Sequence, residues 1–480
     1  MTDENAPAAE PKTASHDPLY PEKLRQFMNT GWGDTERADA TLTDVATWAS
    51  KRRDRLSEAF PGERLVIPAG TYKTRSNDTE YAFRPHSDYV WLVGDQTSDA
   101  VLVLEPNGTS GHDAVLYFRP RSDRSEGEEF WRDRMYGELW AGRRPSLTET
   151  AKEYGVETRH LDGLADALKS DVPTRVRRGE DGFVSGLVSN ADEERDARDA
   201  ELATSLSELR LVKDAFEIEQ LRDACAITHR GFSDVLAEMD QVRRYGERWI
   251  EGTFWRRARA EGNDVGYTSI AAAGPHATTL HWIENDGPVV DGTLMLLDMG
   301  VENRRLYTAD VTRTFPVNGE FTPRQRELYQ LVLDAQHAGI AALRPGEEFS
   351  AGHKAAMEVI VHGLEAMELL PVSAEEALDP ESMIYRRWTL HGVSHMLGMD
   401  VHDCAAARNE KYTKGTVETG YVLTVEPGLY FQAEDETVPE DLRGIGIRIE
   451  DDILITQDGT ENLSGAMPRE LDEVQAWMAG

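Results

Sequence analysis

Two aspartates lie inside apolar, strand-like sequence between Leu294 and Val317, in LMLLDMGVENRRLYTADVTRTFPV. The runs that carry Asp298 and Asp310 are rich in the β-branched and aromatic residues of strands, and the polar VENRR between them predicts a hairpin turn. Burying two neighbouring carboxylates without compensation is costly. Either one aspartate faces solvent, or protonation, basic partners or metal compensate the pair.

The spacing of these aspartates constrains the hairpin. Side chains alternate between the two faces of a strand, so a two-residue turn places residues at odd separations opposite each other. Asp298 and Asp310 are twelve positions apart. We therefore predict an odd-length turn or a bulge between them if they converge on one site. An in-register hairpin with one aspartate in solvent would argue against such a site.

Length and composition indicate two domains and a tail. A chain of 480 residues is too long for one ordinary hydrophobic core. Residues 1–17 are rich in Pro, Ala and charge without periodicity, so we predict a disordered tail there. The sequence is charged and weakly patterned between about 179 and 203. We place a first domain at 18–190 and a second at 200–480.

Strand-like and helix-like runs alternate in the first domain, where four apolar runs predict strands: RLVIPAG, DYVWLVG, AVLVLEP and AVLYFRP. In the second domain, helices precede a strand-rich part. One long helix is predicted from the apolar stripe between Ile218 and Leu236, which buries Cys225 as an inert thiol. Another begins at Thr322-Pro323, an N-cap followed by proline. The fold class predicted is α/β (α+β).

Charge and cysteine content exclude several classes of protein. Lys and Arg number 52 against 87 Asp and Glu, a net charge of −35, which argues against binding nucleic acid or an anionic membrane. No apolar run is long enough to span a bilayer, and the first residues lack the features of a signal peptide. Two cysteines cannot form a disulfide framework. We expect a cytoplasmic protein.

Three histidines fall close together in HGVSHMLGMDVHD, at positions 391, 395 and 402. The glycines and the absence of an HExxH glutamate argue against the helical zinc motif, and a loop or twisted strand fits better. A single histidine of this kind is most often a hydrogen-bonded core residue. Three together, with carboxylates nearby, favour a functional site.

Two glutamates lie in apolar strand-like sequence further along the chain. Glu426 lies in LTVEPGLY and Glu450 in RGIGIRIEDD. Arg448 is two positions before Glu450 and should project from the same face, so a salt bridge between these two is the simplest explanation of that pair. That pairing leaves Glu426 and the two hairpin aspartates unexplained.

Four carboxylates with at least one histidine form a ligand set for two divalent ions. Oxygen-rich sets with an imidazole favour Mn²⁺, with Co²⁺, Zn²⁺ or Fe²⁺ able to compete. Two ions sharing carboxylates can hold a bridging hydroxide, which is a nucleophile at neutral pH. The pattern therefore points to hydrolysis of an amide or an ester.

The ordered set of acids and histidine resembles the five-ligand signature of the pita-bread metallopeptidases, a group with methionine aminopeptidase, prolidase, aminopeptidase P and the metal-free creatinases. Within the group, SHMLGMDVHD, VLTVEPGLYF and VPEDLRGIGIRIEDDILIT look like the blocks of aminopeptidase P, and Thr74–Gly94 looks like its N-terminal domain. The resemblance extends from about Tyr20 to the C-terminus. The set comprises Asp298, Asp310, His395, Glu426 and Glu450.

The resemblance implies a fold, an activity and a role for each site residue. It implies an aminopeptidase P-type N-terminal domain and a pita-bread catalytic domain that binds two ions. Asp298 would chelate one ion, His395 and Glu426 the other, and Asp310 and Glu450 would bridge them. Glu426 would also handle the proton of the bridging water. The residues matching the family's substrate-orienting histidines and site arginine are His281, His391, His402 and Arg448.

The expected reaction is removal of an N-terminal residue that precedes proline, from peptides with proline second. Relatives of this type are often dimers or tetramers, so a homo-oligomer is expected. Two alternatives remain open: prolidase, which shares the ligands but cleaves dipeptides, and a non-catalytic peptide-binding relative.

The chain departs from the family pattern after the third histidine. Relatives commonly continue VHDVG, whereas this chain has VHDCAAARNE, which places Cys404 beside the site. Inert packing is our first interpretation of this thiol, with sensitivity to thiol reagents as the alternative.

Overall fold

The computed structural model describes residues 19–108, 111–188 and 193–480. The predicted disordered tail at 1–17 lies outside the described residues, and so does part of the predicted domain boundary, at 189–192.

The first part of the described chain is a mixed five-stranded sheet with helices around it. The strand order is β6-β5-β4-β1-β7, in which β1–β4 and β4–β5 pair antiparallel and β5–β6 and β1–β7 pair parallel. The strands are β1 Arg64–Pro68, β2 Thr74–Ser76, β3 Thr79–Glu80, β4 Val101–Pro106, β5 His112–Phe118, β6 Glu157–His160 and β7 Thr174–Val176. The helices are α1 Glu22–Met28, α2 Asp44–Ala59, α3 Ser87–Val93, α4 Glu129–Arg132, α5 Glu138–Ala141, α6 Leu147–Tyr154, α7 Leu164–Ala167, α8 Gly182–Leu187 and α9 Glu193–Leu211.

One strand prediction is wrong. The run DYVWLVG forms the buried helix α3, Ser87–Val93, rather than a strand. A short apolar run has no periodicity that separates a buried strand from a buried helix. The deciding signals are at its ends: the ring of His86 accepts a hydrogen bond from the Asp88 N–H, and Gly94 closes the helix at φ +86°.

The second part contains long helices packed on small antiparallel sheets. The sheet orders are β12-β10-β9, β13-β16-β17, β14-β15 and β11-β8. The helices are α10 Ala215–Ala237, α11 Met239–Tyr245, α12 Glu247–Glu261, α13 Pro323–Ala342, α14 Ala351–Ala366, α15 Ala374–Leu378 and α16 Leu471–Ala479. The strands are β8 Asp264–Val265, β9 Ile270–Ala273, β10 Leu294–Asp298, β11 Val301–Glu302, β12 Thr312–Pro316, β13 Val422–Val425, β14 Gly428–Phe431, β15 Ile445–Arg448, β16 Asp451–Thr456 and β17 Gly459–Asn462.

The two helices predicted from specific residues are present. The apolar stripe lies on α10 and buries Cys225, whose thiol pKa is raised by burial and by Asp452. Helix α13 begins with a capping box in which Thr322 and Gln325 exchange hydrogen bonds. The histidine segment 391–403 contains no helix and pairs with β13 through a bridge between Met396 and Leu423, as the sequence predicts.

The hairpin has the odd-length loop that the aspartate spacing requires. In the pairing of β10 with β12, Asp298 lies opposite Thr312, and the same register continues to Asn303, whose N–H donates to Tyr307 O at 2.9 Å. Three residues, 304–306, form the loop, and Leu306 takes φ +65° there. This register puts Asp310 opposite Gly300 and therefore on the same face as Asp298.

Gly300 is required at that position. A Cβ added there would lie 1.8 Å from the carbonyl oxygen of Ala309, on the facing arm of the hairpin.

Among the described residues, no helix has the length and apolar character needed to cross a bilayer.

Candidate metal centre

Five strand ends and loops bring the predicted ligands together. Asp298 ends β10 and Asp310 lies two positions before β12. Glu426 follows β13, Glu450 lies between β15 and β16, and His395 lies on the segment paired with β13. The backbone holds these elements in contact, because the Glu426 N–H donates to Val393 O at 2.9 Å and the Glu450 N–H to Thr312 O at 3.1 Å.

Three of the predicted ligands converge on one point. Asp310, His395 and Glu450 each present a donor atom, and these atoms lie within 4.8 Å of one another. Nε2 of His395 is 3.3 Å from Asp310 Oδ2 and 3.5 Å from Glu426 Oε1. The group is carboxylate-rich with a single imidazole, a donor set suited to hard divalent ions such as Mn²⁺.

The fourth carboxylate, Asp298, is held by a tyrosine and an arginine. The hydroxyl of Tyr267 donates to Oδ1 at 2.7 Å, and Nη2 of Arg448 donates to Oδ2 at 2.6 Å. Arg448 also donates to the hydroxyls of Thr312 and Tyr430, at 3.1 and 2.9 Å. The simple pairing of Arg448 with Glu450 is therefore not the arrangement found.

The cluster carries more negative charge than its own cations balance. Burial, together with neighbouring carboxylates, raises the pKa of Asp298, raises that of Glu426 to about 7, and raises that of Glu450 well above its usual range. Burial lowers the pKa of His395, but Asp310 and Glu426 outweigh it and raise the pKa to about 9. Four carboxylates face Arg448 and this one histidine, so bound cations fit the charge of the group.

The three other predicted histidines surround the cluster. His391 is 2.7 Å from the Tyr430 hydroxyl through Nε2 and 3.5 Å from Glu426 Oε2 through Nδ1. Burial and the nearby Arg448 lower the pKa of His391 to about 3, so the ring is neutral. The rings of His395 and His402 meet edge to face at 4.4 Å. His281 and His402 are exposed, and His281 lies near enough to His391 and His402 to lower the pKa of both.

Sequence reasoning missed several residues that shape the site. The Thr312 hydroxyl donates to Glu450 Oε2 at 2.6 Å, and its position two residues after Asp310 on the same strand face was a usable signal. Asp452 accepts the Asp310 N–H at 3.2 Å. Tyr267 lies in sequence without a distinctive motif, so only the folded structure assigns it to Asp298.

Both cysteines are buried and unpaired, and neither belongs to the cluster of three. Burial, together with Asp403, raises the pKa of the Cys404 thiol well above its usual range. Inert packing, our first interpretation of Cys404, agrees with this environment.

Comparison with known proteins matches both parts of the chain. The model of Metallopeptidase family M24 matches residues 219–457, and that of the Aminopeptidase P N-terminal domain matches 49–177. Xaa-Pro aminopeptidase 1 of Streptomyces coelicolor is 54% identical over 465 residues, which are 96% of this chain and 93% of the relative.

The chain belongs to the aminopeptidase P group of metallopeptidase family M24.

Solved structures of this group have the same fold. Aminopeptidase P from E. coli, in a low-pH form, superposes with a TM-score of 0.80 at 31% identity, covering 90% of this chain and 98% of that one. A zinc-substituted E. coli aminopeptidase P in complex with product also has a TM-score of 0.80 at 31% identity, covering 92% and 99%.

These comparisons confirm the predicted fold, an N-terminal aminopeptidase P-type domain followed by a pita-bread catalytic domain. They also confirm the prediction of an Xaa-Pro aminopeptidase. The prolidase and non-catalytic alternatives are not favoured.

Proposed function

We propose that this M24 metallopeptidase removes the first residue of peptides with proline in second position, using two divalent ions. Asp298, Asp310, His395, Glu426 and Glu450 would hold the ions. The observation that carries the proposal is the convergence of Asp310, His395 and Glu450 donor atoms within 4.8 Å, with both carboxylates buried and the histidine half-buried. When bound, the ions would activate a water as the nucleophile and polarise the scissile carbonyl.

A carboxylate of the cluster would accept the proton that the attacking water loses. Glu426 is the proposed acceptor, because its carboxylate lies 3.5 Å from Nε2 of His395 and 3.5 Å from Nδ1 of His391, beside the ligand cluster. A carboxylate within hydrogen-bond reach of the attacking water can take its proton and return it within one turnover. Arg448 keeps Asp298 in place through the 2.6 Å hydrogen bond, and Asp298 in turn stays available to a cation through its remaining lone pairs.

The three histidines outside the ligand set orient the substrate. His391 is held by the Tyr430 hydroxyl at 2.7 Å, whereas His281 and His402 are exposed at the cluster and can meet a peptide. We assign them to positioning the scissile carbonyl, stabilising the tetrahedral intermediate and supplying a proton to the leaving proline nitrogen.

Proline in the second position suits this machinery. An Xaa-Pro bond is a tertiary amide without an N–H. A peptidase that must form a hydrogen bond to that N–H therefore cannot cleave it. The groups around this cluster would act on the metal ions, the carbonyl oxygen and the leaving nitrogen of a bound peptide, and none of these roles requires the missing hydrogen.

Manganese is the proposed native metal, supported by the oxygen-rich donor set with one imidazole. A zinc-substituted form of the E. coli relative exists, so zinc, cobalt and iron are the competitors to test.

We also propose a homo-oligomer in the cytoplasm. The two unpaired, buried cysteines support a reducing compartment.

A pair of peptides tests the activity. The rate on Xaa-Pro-Yaa, measured with added Mn²⁺, should greatly exceed the rate on the matched Xaa-Ala-Yaa peptide and on the dipeptide Gly-Pro. Efficient hydrolysis of Gly-Pro with no activity on the tripeptide would identify a prolidase instead.

A further inference from the structure

The segment that carries His402 is held by residues from the first part of the chain. This segment, Gly398–Asp403, has no regular secondary structure and is here named the His402 segment. Its two aspartates, Asp400 and Asp403, flank the histidine. Both carboxylates contact Arg210 on α9, and that of Asp400 also contacts Ser87 and Arg84 of the N-terminal domain.

Arg210, near the end of α9, is the centre of these contacts. Its Nη1 donates to Asp88 Oδ1 at 2.7 Å, and its Nη2 donates to Asp400 Oδ2 at 3.0 Å and to Asp403. The Arg210 side chain is only 4% exposed. One rigid guanidinium fork therefore joins the N-terminal helix α3, through Asp88, to both sides of His402.

Residues of the N-terminal domain also form hydrogen bonds directly to the His402 segment. The Ser87 hydroxyl donates to Asp400 Oδ1 at 2.5 Å. Arg84 donates from Nη2 to Met399 O and from Nε to Glu302 Oε2, both at 2.6 Å. These bonds tie the His402 segment to the hairpin that carries the two aspartates of the metal cluster.

The network is balanced in charge and closely packed. Arg177 donates to Asp88 at 2.8 Å, and Nζ of the buried Lys213 lies 3.2 Å from Asp403. Asp403 packs so tightly that a Cβ on Gly398 would lie 2.1 Å from its Oδ2. Four carboxylates thus meet four cations: Asp88, Glu302, Asp400 and Asp403 with Arg84, Arg177, Arg210 and Lys213.

We propose that Arg210 is a positioning residue for the reaction: it holds the His402 segment against the N-terminal domain and so sets where the His402 ring meets the substrate. The inference rests on the role assigned to His402 under "Proposed function". On this proposal, the N-terminal domain helps to position a histidine in the catalytic site of the same chain.

A merely structural role for Arg210 makes a different prediction. If the network only joined the domains, its loss would lower stability, and any effect of that loss on activity per folded molecule would be the same with and without His402. If Arg210 acts through His402, the two residues are energetically coupled, and their substitutions are not additive.

A double-mutant cycle measures that coupling. The kcat and KM of the Mn²⁺-supplemented full-length enzyme are compared for the parent, Arg210→Lys, His402→Ala and the double variant, with metal content and thermal unfolding measured for each. Lysine keeps the charge, but its single ammonium nitrogen cannot reproduce the planar fork in which Nη1 reaches Asp88 while Nη2 reaches Asp400 and Asp403. We expect Arg210→Lys to lower kcat roughly 10- to 100-fold, because small misplacements of a catalytic group have large effects. In the His402→Ala background the same change should cost no more than about twofold.

Arg64→Lys is the matched control. Arg64 is a buried arginine of the N-terminal sheet that donates to Glu105 at 2.7 Å and makes no contact with the His402 segment. Its substitution should affect unfolding temperature with little change in kcat.

The outcomes separate the inference from the function on which it rests. Full activity of His402→Ala would show that the assigned role of His402 is wrong, and the inference would fall with it. If His402→Ala is impaired but Arg210→Lys costs the same factor in both backgrounds, or costs nothing in the parent, the positioning role alone is overturned. Should Arg210→Lys fail to fold, Ser87→Ala decides by the same comparison. It removes one hydrogen bond to Asp400 without burying a charge, and a kcat loss confined to the background with His402 supports the inference.

Discussion

Arg448 and Asp298 form a buried hydrogen-bonded ion pair, with Nη2 2.6 Å from Oδ2, although the residues are 150 positions apart. The pair joins the hairpin to the strand that precedes Glu450. An arginine in this position holds one carboxylate while its other N–H groups anchor Thr312 and Tyr430. The site is thus rigid on the side where Asp298 would meet a metal ion.

Arg448→Lys should lower kcat/KM about 100-fold, the loss typical of removing a preorganised donor from an active site. A lysine ammonium cannot donate to Asp298, Thr312 and Tyr430 in the same plane. Steady-state kinetics with an Xaa-Pro-Yaa peptide tests this. Arg443→Lys is the control, because the guanidinium of Arg443 donates to the backbone oxygen of Val438, away from Asp298, Thr312 and Tyr430. Equal activity of the two variants would contradict the assigned role.

Glu247 organises the loop that carries His281. This fully buried carboxylate accepts from the N–H groups of Ala273 and Gly287, at 2.8 and 2.7 Å, and from the rings of His276 and Trp282, both at 2.9 Å. Each oxygen therefore has two donors, and Trp282 is the neighbour of His281 in sequence.

Glu247→Gln should destabilise the protein by about 1–3 kcal/mol, because the new NH₂ group faces N–H donors. It should also raise KM, because the His281 loop loses its anchor. Urea unfolding and peptide kinetics measure the two effects. Glu284→Gln, an exposed acid of the same loop, is the control, and a Glu247→Gln enzyme indistinguishable from it would refute the prediction.

Glu208 ties α9 to the segment that follows Cys404. Its carboxylate accepts from Arg408 at 2.5 and 2.7 Å and lies 3.0 Å from Lys411. The hydrogen bond from Arg408 is the main cause that lowers the pKa of Glu208 from 4.5 to about 2.

A lowered folded-state pKa contributes stability above the unfolded pKa and loses it as pH falls towards the folded one. The parent should therefore unfold at a higher temperature than Glu208→Gln at pH 7, and the difference should shrink between about pH 4.5 and pH 2. Because Arg408 and Lys411 are more than half exposed, salt should also reduce the difference. A difference independent of pH would show that packing, rather than charge, distinguishes the variants.

Thiol reagents should leave the activity intact. Cys404 is 3% exposed and burial raises its pKa, so the reactive thiolate is scarce at neutral pH. Iodoacetamide treatment of the native enzyme, followed by mass spectrometry and assay, checks this. Rapid modification of Cys404 with loss of activity would contradict the burial.

The sequence was informative where a local rule applied. The even spacing of Asp298 and Asp310 predicted an odd-length hairpin loop or a bulge, because strand alternation otherwise places the two on opposite faces, and the structure has the odd-length loop. The stripe on α10 and the Thr322 cap predicted their helices for equally local reasons. The run DYVWLVG was misassigned as a strand, because a fully buried helix of two turns shows no periodicity.

The contacts that finish the site were beyond sequence reasoning. Tyr267 meets Asp298, and Arg210 meets Asp400, only because separate elements pack together. No local pattern marks such partners, since the pairing depends on three-dimensional register rather than on neighbours in the chain. The same holds for Glu247, whose four donors come from positions 26 to 40 residues away.

The central claim is that the buried carboxylates form a metal site that performs the hydrolysis. The most direct measurement is the number of Mn²⁺ ions bound per chain after chelation and titration, followed together with the rate on an Xaa-Pro-Yaa peptide. We predict no activity in the stripped parent and recovery as it approaches two ions per chain. Asp310→Asn should bind fewer ions and stay inactive. Full hydrolysis by the stripped parent, or Mn²⁺ binding unchanged in Asp310→Asn, would contradict the account.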